Sequence, residues 1–399
     1  MPVPQRSLTC NDVRRIAEES LTGSGSDRVG IEIEWPVFQT ASLARPAMAD
    51  LQAVLVEPLP AGGSITIEPG GQIELSTTPC DSAVAAVAAA EIDAAALRDR
   101  LRSRSLAMAA CAVDTLRPPQ RILNKPRYAA MENFYSVRGP EGLWMMANTA
   151  SVQINLSHAS RGGHRRWYLM NRIGPLLVAL FANSPGQGPD GRHWKSVRQA
   201  IWSRIDPSRT KPVPVGDSPV HDWASYALAA DVFYINAEPG TAIAPGLSFG
   251  DWLTFGHEVG WPTANDLRYH LTTLFPPIRP RGWLELRMLD ALTPEIRSAA
   301  VYIASTALDD DIATEIDELP DVGHLWLAAA RDGLEHPVLG TAARRLVDLC
   351  SSATRGSGDV ASTIDAFADE YTRRGRCPAD DIADLTVTAF TAQSDQPIS

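Results

Sequence analysis

The sequence predicts an α+β fold, a mainly antiparallel sheet with helices packed against it. Three observations lead there. Short segments alternate aliphatic with polar residues at the period of a strand. Two of them are joined by the turn Pro69-Gly70-Gly71. An alanine-rich stretch and most of the chain beyond Ile312 read as helix.

In chain order, Asn11 or Asp12 is placed to cap a short first helix through Glu19, closed by Gly23. Arg28 to Phe38 reads as a strand, and Ser64–Glu68 with Gln72–Ser76 as a hairpin. Ser82 to Met108 fits a long amphipathic helix. Asn148 to Leu156 alternates as a strand, Arg165 to Ala182 reads as helix, and Trp283 to Leu289 as a further strand. Pro294 opens a helix to Leu308, proline being well suited to a first turn. No composition break or repeat divides the chain. We expect one domain over residues 1–399, with the 291–399 portion mostly helical.

Residues two apart on a strand share a face. Glu32 and Glu34 therefore oppose Ile31 and Ile33, and Glu68 lies with Ser64 and Thr66. Gln72 and Glu74 oppose Ile73 and Leu75; Thr149, Ser151, Gln153 and Asn155 oppose Val152, Ile154 and Leu156. Trp283, Glu285 and Arg287 oppose Leu284, Leu286 and Met288. A half-solvated sheet shows the same alternation, but its outer face ordinarily mixes lysine and threonine with glutamate. Here glutamates and amides dominate. Carboxylates side by side on a sheet repel, and a hard divalent cation takes oxygen ligands from such groups. The absence of a His/Cys set favours Mg²⁺ or Mn²⁺ over zinc.

The chain has 36 Lys and Arg against 47 Asp and Glu, a net charge of −11, which argues against a nucleic-acid binder. Its longest apolar runs stop at Glu91 and Asp114, too short for a membrane span. Met1 to Cys10 lacks a signal pattern, and five widely spaced cysteines form no disulfide framework. A cytoplasmic setting follows as the expectation. No obligate protein partner is evident.

Competing signals are weak. Gly246-Leu-Ser-Phe-Gly250 matches GxSxG, but a loop precedes it where a nucleophile elbow needs a strand. His257-Glu258 fails HExxH because position 261 is tryptophan. No Walker-type loop occurs.

Ordered blocks then resemble one family. Val29-Gly-Ile-Glu-Ile-Glu34, Ile67-Glu-Pro-Gly-Gly-Gln-Ile-Glu-Leu-Ser76 and Pro126-Arg-Tyr128 with Met131 are the first. Met145-Met-Ala-Asn-Thr-Ala-Ser-Val-Gln-Ile-Asn155, Phe181-Ala-Asn-Ser-Pro185, Arg198, Ile201-Trp202, Asp206 and Arg209-Thr210 follow. His270-Leu-Thr-Thr-Leu-Phe-Pro276 and Arg279-Pro-Arg-Gly-Trp-Leu-Glu-Leu-Arg287 complete the series, which spans about 29–290. Together they resemble the glutamate–cysteine ligases of plant and proteobacterial type. The short chain and Arg279-Pro-Arg-Gly-Trp283 resemble the actinobacterial branch that serves ergothioneine synthesis. Leu289-Asp290-Ala291 departs from the plant-type Gly-Ala-Asp, and Arg204 stands where that type tends to have an acid.

The resemblance implies a sheet curled into a funnel, as in glutamine synthetases and guanidino kinases, and ATP, Mg²⁺, L-glutamate and L-cysteine as the participants. By motif position it implies metal ligands at Glu32, Glu34, Glu68, Glu74, Gln153 and Glu285. Arg287, with Glu285, would stabilise the transferring phosphoryl group. Arg127, Tyr128, Met131, Asn148, Thr149 and Arg198 would bind substrate, and Trp202, Arg209, Arg279 and Arg281 would bind ATP. A γ-glutamyl ligase for another amine, a guanidino-type phosphotransferase and a non-catalytic binder are the alternatives.

Overall fold

The computed structural model describes residues 8–23, 25–158, 164–237 and 239–382. Its main sheet has six strands, all antiparallel: β1 (Val29–Trp35), β2 (Ser64–Ile67), β3 (Ile73–Ser76), β4 (Ser151–Ser157), β5 (Ile278–Pro280) and β6 (Trp283–Asp290). Their order is β5-β6-β4-β1-β3-β2, so the sheet is open, with β5 and β2 at its edges.

The alternation in sequence becomes two chemically distinct faces. Ile31, Ile33, Leu75, Val152, Ile154, Leu284 and Leu286 are buried almost completely. The helices Ala83–Arg102, Arg165–Leu180 and Pro294–Thr306 pack on that side. The first of these presents Ala86, Ala90, Ala94, Leu97 and Leu101 as its buried stripe, small residues that let helix and sheet approach closely. Outside them lie Pro337–Ala353 and Asp359–Glu370. Their residues join those of the sheet in one apolar cluster running from Ala17 to Tyr371.

Several element boundaries differ from the sequence reading. Thr9, not Asn11 or Asp12, caps the first helix, and Asp12 returns a bond to the Thr9 backbone N–H in a capping box; the helix runs Cys10–Leu21. Pro36, which lacks an N–H for the ladder, divides the expected strand 28–38. Beyond it, Val37–Gln39 leaves the main sheet to pair with Leu106–Met108. That pairing takes the end of the expected helix 82–108, which closes at Arg102 through Ser105 at φ 56°. Residues 148–150 are not strand: Asn148 ends the helix Glu141–Asn148, and β4 begins at Ser151.

The hairpin turn explains two of its glycines. Gly71 has φ 88°, a left-handed conformation. A Cβ on Gly70 would lie 2.2 Å from the Ala147 carbonyl oxygen and 2.4 Å from the Ala147 Cα. The turn is thus pressed on the end of Glu141–Asn148. Gln72, which is buried, secures it: its Oε1 accepts from Gly70 N–H at 3.0 Å and its Nε2 donates to Thr149 O at 2.9 Å.

Candidate active site

The polar face of the sheet divides into an acidic half and a basic half. On β1 and β3 the acids accumulate: Glu34 stands directly opposite Glu74, and Glu74 opposite Thr66, whose hydroxyl donates to it at 3.1 Å. Glu68 borders the turn beside them. Burial, then repulsion by Glu34, pushes Glu68 up to about 7. Burial and the neighbouring Glu68, Glu34 and Glu32 likewise hold Glu74 well above the ordinary carboxylate range. Glu32 and Glu34 are raised too, burial being the main cause. Four glutamates gathered at one place are a hard-oxygen, negatively charged set, chemically suited to Mg²⁺. As they stand, no three such carboxylates among the described residues converge tightly enough to hold an ion.

The basic half lies on β5 and β6. Glu285 is fully buried and engages three arginines. Arg279 donates to both its oxygens, at 2.6 and 3.1 Å; Arg281 donates at 3.0 Å and Arg287 at 2.9 Å. Burial alone would raise this carboxyl, but the three guanidinium groups prevail and hold it far below its ordinary range. Glu285, expected among the metal ligands, thus has its oxygens occupied by arginine, while remaining near enough to Glu32 to raise it.

A β-bulge aims Arg287. Leu286 pairs with Ile154 and Leu289 with Val152, so Arg287 and Met288 together oppose Gln153. The displaced carbonyls are capped by neighbours: Arg198 donates to Arg287 O at 3.0 Å and Gln199 to Met288 O at 2.7 Å. The extra residue also turns Leu289 into the core and brings Asp290 opposite Ser151. There Asp290 accepts from Asn183 N–H and from the Ser184 and Ser196 hydroxyls, with Arg198 at 3.8 Å. The departure Leu289-Asp290-Ala291 is therefore a buried anchor for Arg198.

Arg198 is only 3% exposed, and its Nε and Nη1 find no hydrogen-bond acceptor among the described residues. The Nε atoms of Arg287 and Arg127 are in the same condition. Arg127 lies over the Tyr269 ring and Arg198 over Trp202. Phe275 lies 5.6 Å from the Arg287 guanidinium. Trp202 and Phe275 border a second apolar cluster built on Met131, Phe134, Tyr135, Met145, Met146 and Ile201. Tyr128 packs on it and is raised, chiefly by burial and then by Glu68. Arg127 and Tyr128 lie within electrostatic reach of Glu68, and Met131 belongs to the cluster on which Tyr128 packs.

Three residues of the expected site are placed elsewhere in the chemistry. Asn148 uses its amide to donate to Asp114 O and Arg117 O and to accept from Arg45. Thr149 donates its hydroxyl to Met145 O. Asn148 thus spends its amide on a supporting loop, and Thr149 spends its proton on the end of its own helix. Arg209 is wholly buried, bonded to Asp206, Thr273 and Asp231 and enclosed by Phe134 and Phe233. It is an internal strut, which corrects its expected position at the nucleotide. Arg279 is buried against Glu285, while Arg281 is 43% exposed and stacks 5.1 Å from Trp283. A cleft of about 250 Å³ opens beside it, lined by Ile16, Ser20, Arg268, Thr272 and Pro280. A roomier cleft of about 770 Å³, at Glu91, Glu295 and Tyr371, shares no residue with the polar face.

Sequence reasoning missed Arg45, Gln72 as a structural residue, and Asn155 as a partner of Glu32. Ser248 of the GxSxG match caps the helix Phe249–Phe255 and bonds Asp251, so it is no nucleophile elbow. The five cysteines are free thiols. Among the described residues no helix is long and apolar enough to cross a membrane.

The chain is 40% identical over 384 residues to glutamate–cysteine ligase EgtA of Mycolicibacterium smegmatis, covering 93% of this chain and 90% of that one. It is 37% identical over 398 residues to the Mycobacterium tuberculosis protein of the same name, covering 95% and 90%. The chloroplastic glutamate–cysteine ligase of Arabidopsis thaliana is 29% identical over 291 residues, covering 69% and 54%. In fold it matches the Francisella tularensis glutamate–cysteine ligase solved with AMP, at TM-score 0.56 and 15% identity, covering 91% and 85%. It also matches a bifunctional glutathione synthetase from Pasteurella multocida, at TM-score 0.58 and 13% identity, covering 97% and 53%. The family model described as glutamate-cysteine ligase family 2 matches residues 28–396, and the chain belongs to that family.

Proposed function

We propose that this protein is an ATP-dependent glutamate–cysteine ligase that forms γ-glutamylcysteine as the first step of ergothioneine biosynthesis, in the cytoplasm. The observation that carries the reading is the polar face itself, a carboxylate half and an arginine half on one sheet, in a chain of this family.

The chemistry requires both halves. A carboxylate is a poor acyl donor because oxide is a poor leaving group. Transfer of the γ-phosphoryl group of ATP to the side chain of glutamate gives an acyl phosphate, and the amine of cysteine then displaces phosphate. Charge neutralisation and alignment carry such a reaction. Glu32, Glu34, Glu68 and Glu74 are the residues that would hold Mg²⁺, which neutralises phosphate charge when bound; Gln153 and Glu285, also expected as ligands, have their oxygens on arginine. Arg287 would stabilise the phosphoryl group in flight. Glu285 keeps it in place beside Arg279 and Arg281, which would meet the remaining phosphates. The unspent donors of Arg198 and Arg127 suit the α-carboxylate of glutamate, where a planar guanidinium binds well. Trp202 would close the pocket behind Arg198.

The test is product formation with glutamate, ATP and Mg²⁺ against a panel of amines, read by mass and by ADP release. Cysteine should be the preferred acceptor, with ADP release depending on it. Turnover equal or greater with another amine would overturn the assignment of cysteine.

A further inference from the structure

Two amides on β4 each bridge a residue of β6 to a glutamate of β1. Arg287 Nη1 donates to Gln153 Oε1 at 2.5 Å, and Gln153 Nε2 donates to Glu34 Oε1 at 3.2 Å. In parallel, Trp283 Nε1 donates to Asn155 Oδ1 at 2.9 Å, and Asn155 Nδ2 donates to Glu32 Oε1 at 3.0 Å. Chemistry fixes the direction of the second bridge. An indole N–H can only donate and an ionised carboxylate can only accept, so Asn155 must turn its oxygen to Trp283 and its NH₂ to Glu32. Registry supports it: Trp283 pairs with Ser157, and its ring leans along the diagonal to Asn155, two residues away on the same face.

Trp283 is otherwise hard to explain. It is a large ring left 36% exposed on a polar face, covered on one side by the Arg281 guanidinium. Glu32, for its part, lies within electrostatic reach of Arg287 and Arg279. Glu285 repels it from the same side, so without the Asn155 bond the carboxylate would lose its fixed orientation between the two halves.

Resting on the reading of the acidic half as a Mg²⁺ site, we propose that Trp283 and Asn155 are positioning residues, which fix the orientation of the Glu32 carboxylate. Outer-sphere partners that orient a ligand typically contribute about 10–100-fold to metal affinity.

The experiment is Mn²⁺ titration of the full chain, read by the electron paramagnetic resonance of free Mn²⁺, with and without a non-hydrolysable ATP analogue. Trp283→Phe, Asn155→Ala, Glu32→Gln and the double variant Trp283→Phe/Glu32→Gln are compared, each with its thermal midpoint. Trp283→Phe and Asn155→Ala should each weaken Mn²⁺ binding about tenfold. The double variant should bind no worse than Glu32→Gln alone, because residues acting in one chain are not additive. Wild-type affinity in Trp283→Phe together with a raised KM for ATP would overturn the proposal and make Trp283 a nucleotide wall. A double variant impaired by the product of the single effects would overturn it as well. Wild-type Mn²⁺ affinity in Glu32→Gln would instead remove the metal reading beneath it, an outcome distinct from the other two.

Discussion

Replacing Glu285 by glutamine keeps its volume and removes its charge from among Arg279, Arg281 and Arg287. Glu285 is wholly buried, and Arg279 is only 6% exposed, so the remaining guanidinium cannot recover hydration. Breaking a buried pair on one side costs about 3–5 kcal/mol. Unfolding entropy near 2.1 cal/mol/K per residue gives about 0.8 kcal/mol/K for 399 residues. The expected loss in thermal midpoint is therefore about 4–6 °C, measured by calorimetry near neutral pH. Arg281→Gln is the comparison: that side chain is 43% exposed, and removing a solvent-screened partner should cost less than about 1 kcal/mol. The pH dependence has a definite sign. A carboxyl whose folded pKa lies below its unfolded value stabilises fully above the ordinary carboxylate range and loses that contribution as pH falls. The deficit of Glu285→Gln should therefore shrink below about pH 4. A variant that melts within 1 °C of the parent at neutral pH would refute the arginine-holding role of Glu285.

Four further outcomes follow. Carboxyls raised in the folded state bind protons that the unfolded chain releases. The metal-free protein should therefore lose stability as pH rises from the ordinary carboxylate range through about 7, and added Mg²⁺ should abolish that slope in a series of thermal scans. Arg198→Lys should lower kcat/KM for glutamate about 10–100-fold, from the loss of roughly 1.5–3 kcal/mol of charge-assisted bonding, with KM for ATP changing far less in steady-state assays. Gly70→Ala, which forces a Cβ against the Ala147 backbone, should destabilise by about 1–3 kcal/mol or more in urea titrations. Gln72→Leu should cost about 1–3 kcal/mol by leaving Gly70 N–H and Thr149 O without their partner, again read from the urea midpoint.

The two faces of the sheet were legible because strand geometry is a period-two rule that acts on each segment alone. Glu32, Glu34 and Glu74 needed only their neighbours in sequence to be assigned a side. What lies across the sheet was not legible in the same way. Nothing local says that Arg287 and Met288 form a bulge opposite Gln153, and an unbroken alternation would have put Asp290 on the wrong face. Nor does local sequence distinguish the arginine that ends at a ligand from one that ends at a carbonyl. Arg209 and Arg198 stand in similar polar and apolar surroundings in sequence, yet one is spent on Asp206, Thr273 and Asp231 and the other keeps its Nε free of acceptors. Asn148 and Thr149 failed for a related reason. Their motif position pointed to the substrate, while the structure shows Asn148 tying the Asp114–Arg117 loop to its helix and Thr149 closing the end of that helix on Met145.

The amides of β4 also explain why one sheet can hold opposed charges without collapsing into salt bridges between its halves. β4 stands between them and contributes Gln153 and Asn155, neutral groups that can accept from one side and donate to the other. An acid in either position would repel the glutamates of β1, and a base would neutralise them at the expense of the cation they suit. The amide satisfies the arginine side and the carboxylate side at once, which keeps Glu285 with its arginines and Glu32 and Glu34 with the acidic cluster. Phosphate, carrying charge between a cation and a guanidinium, requires that same separation. Converting Gln153 to glutamate should accordingly strengthen its hold on Arg287 while weakening turnover, and a Gln153→Glu enzyme with parental kcat would show that the neutral bridge is dispensable.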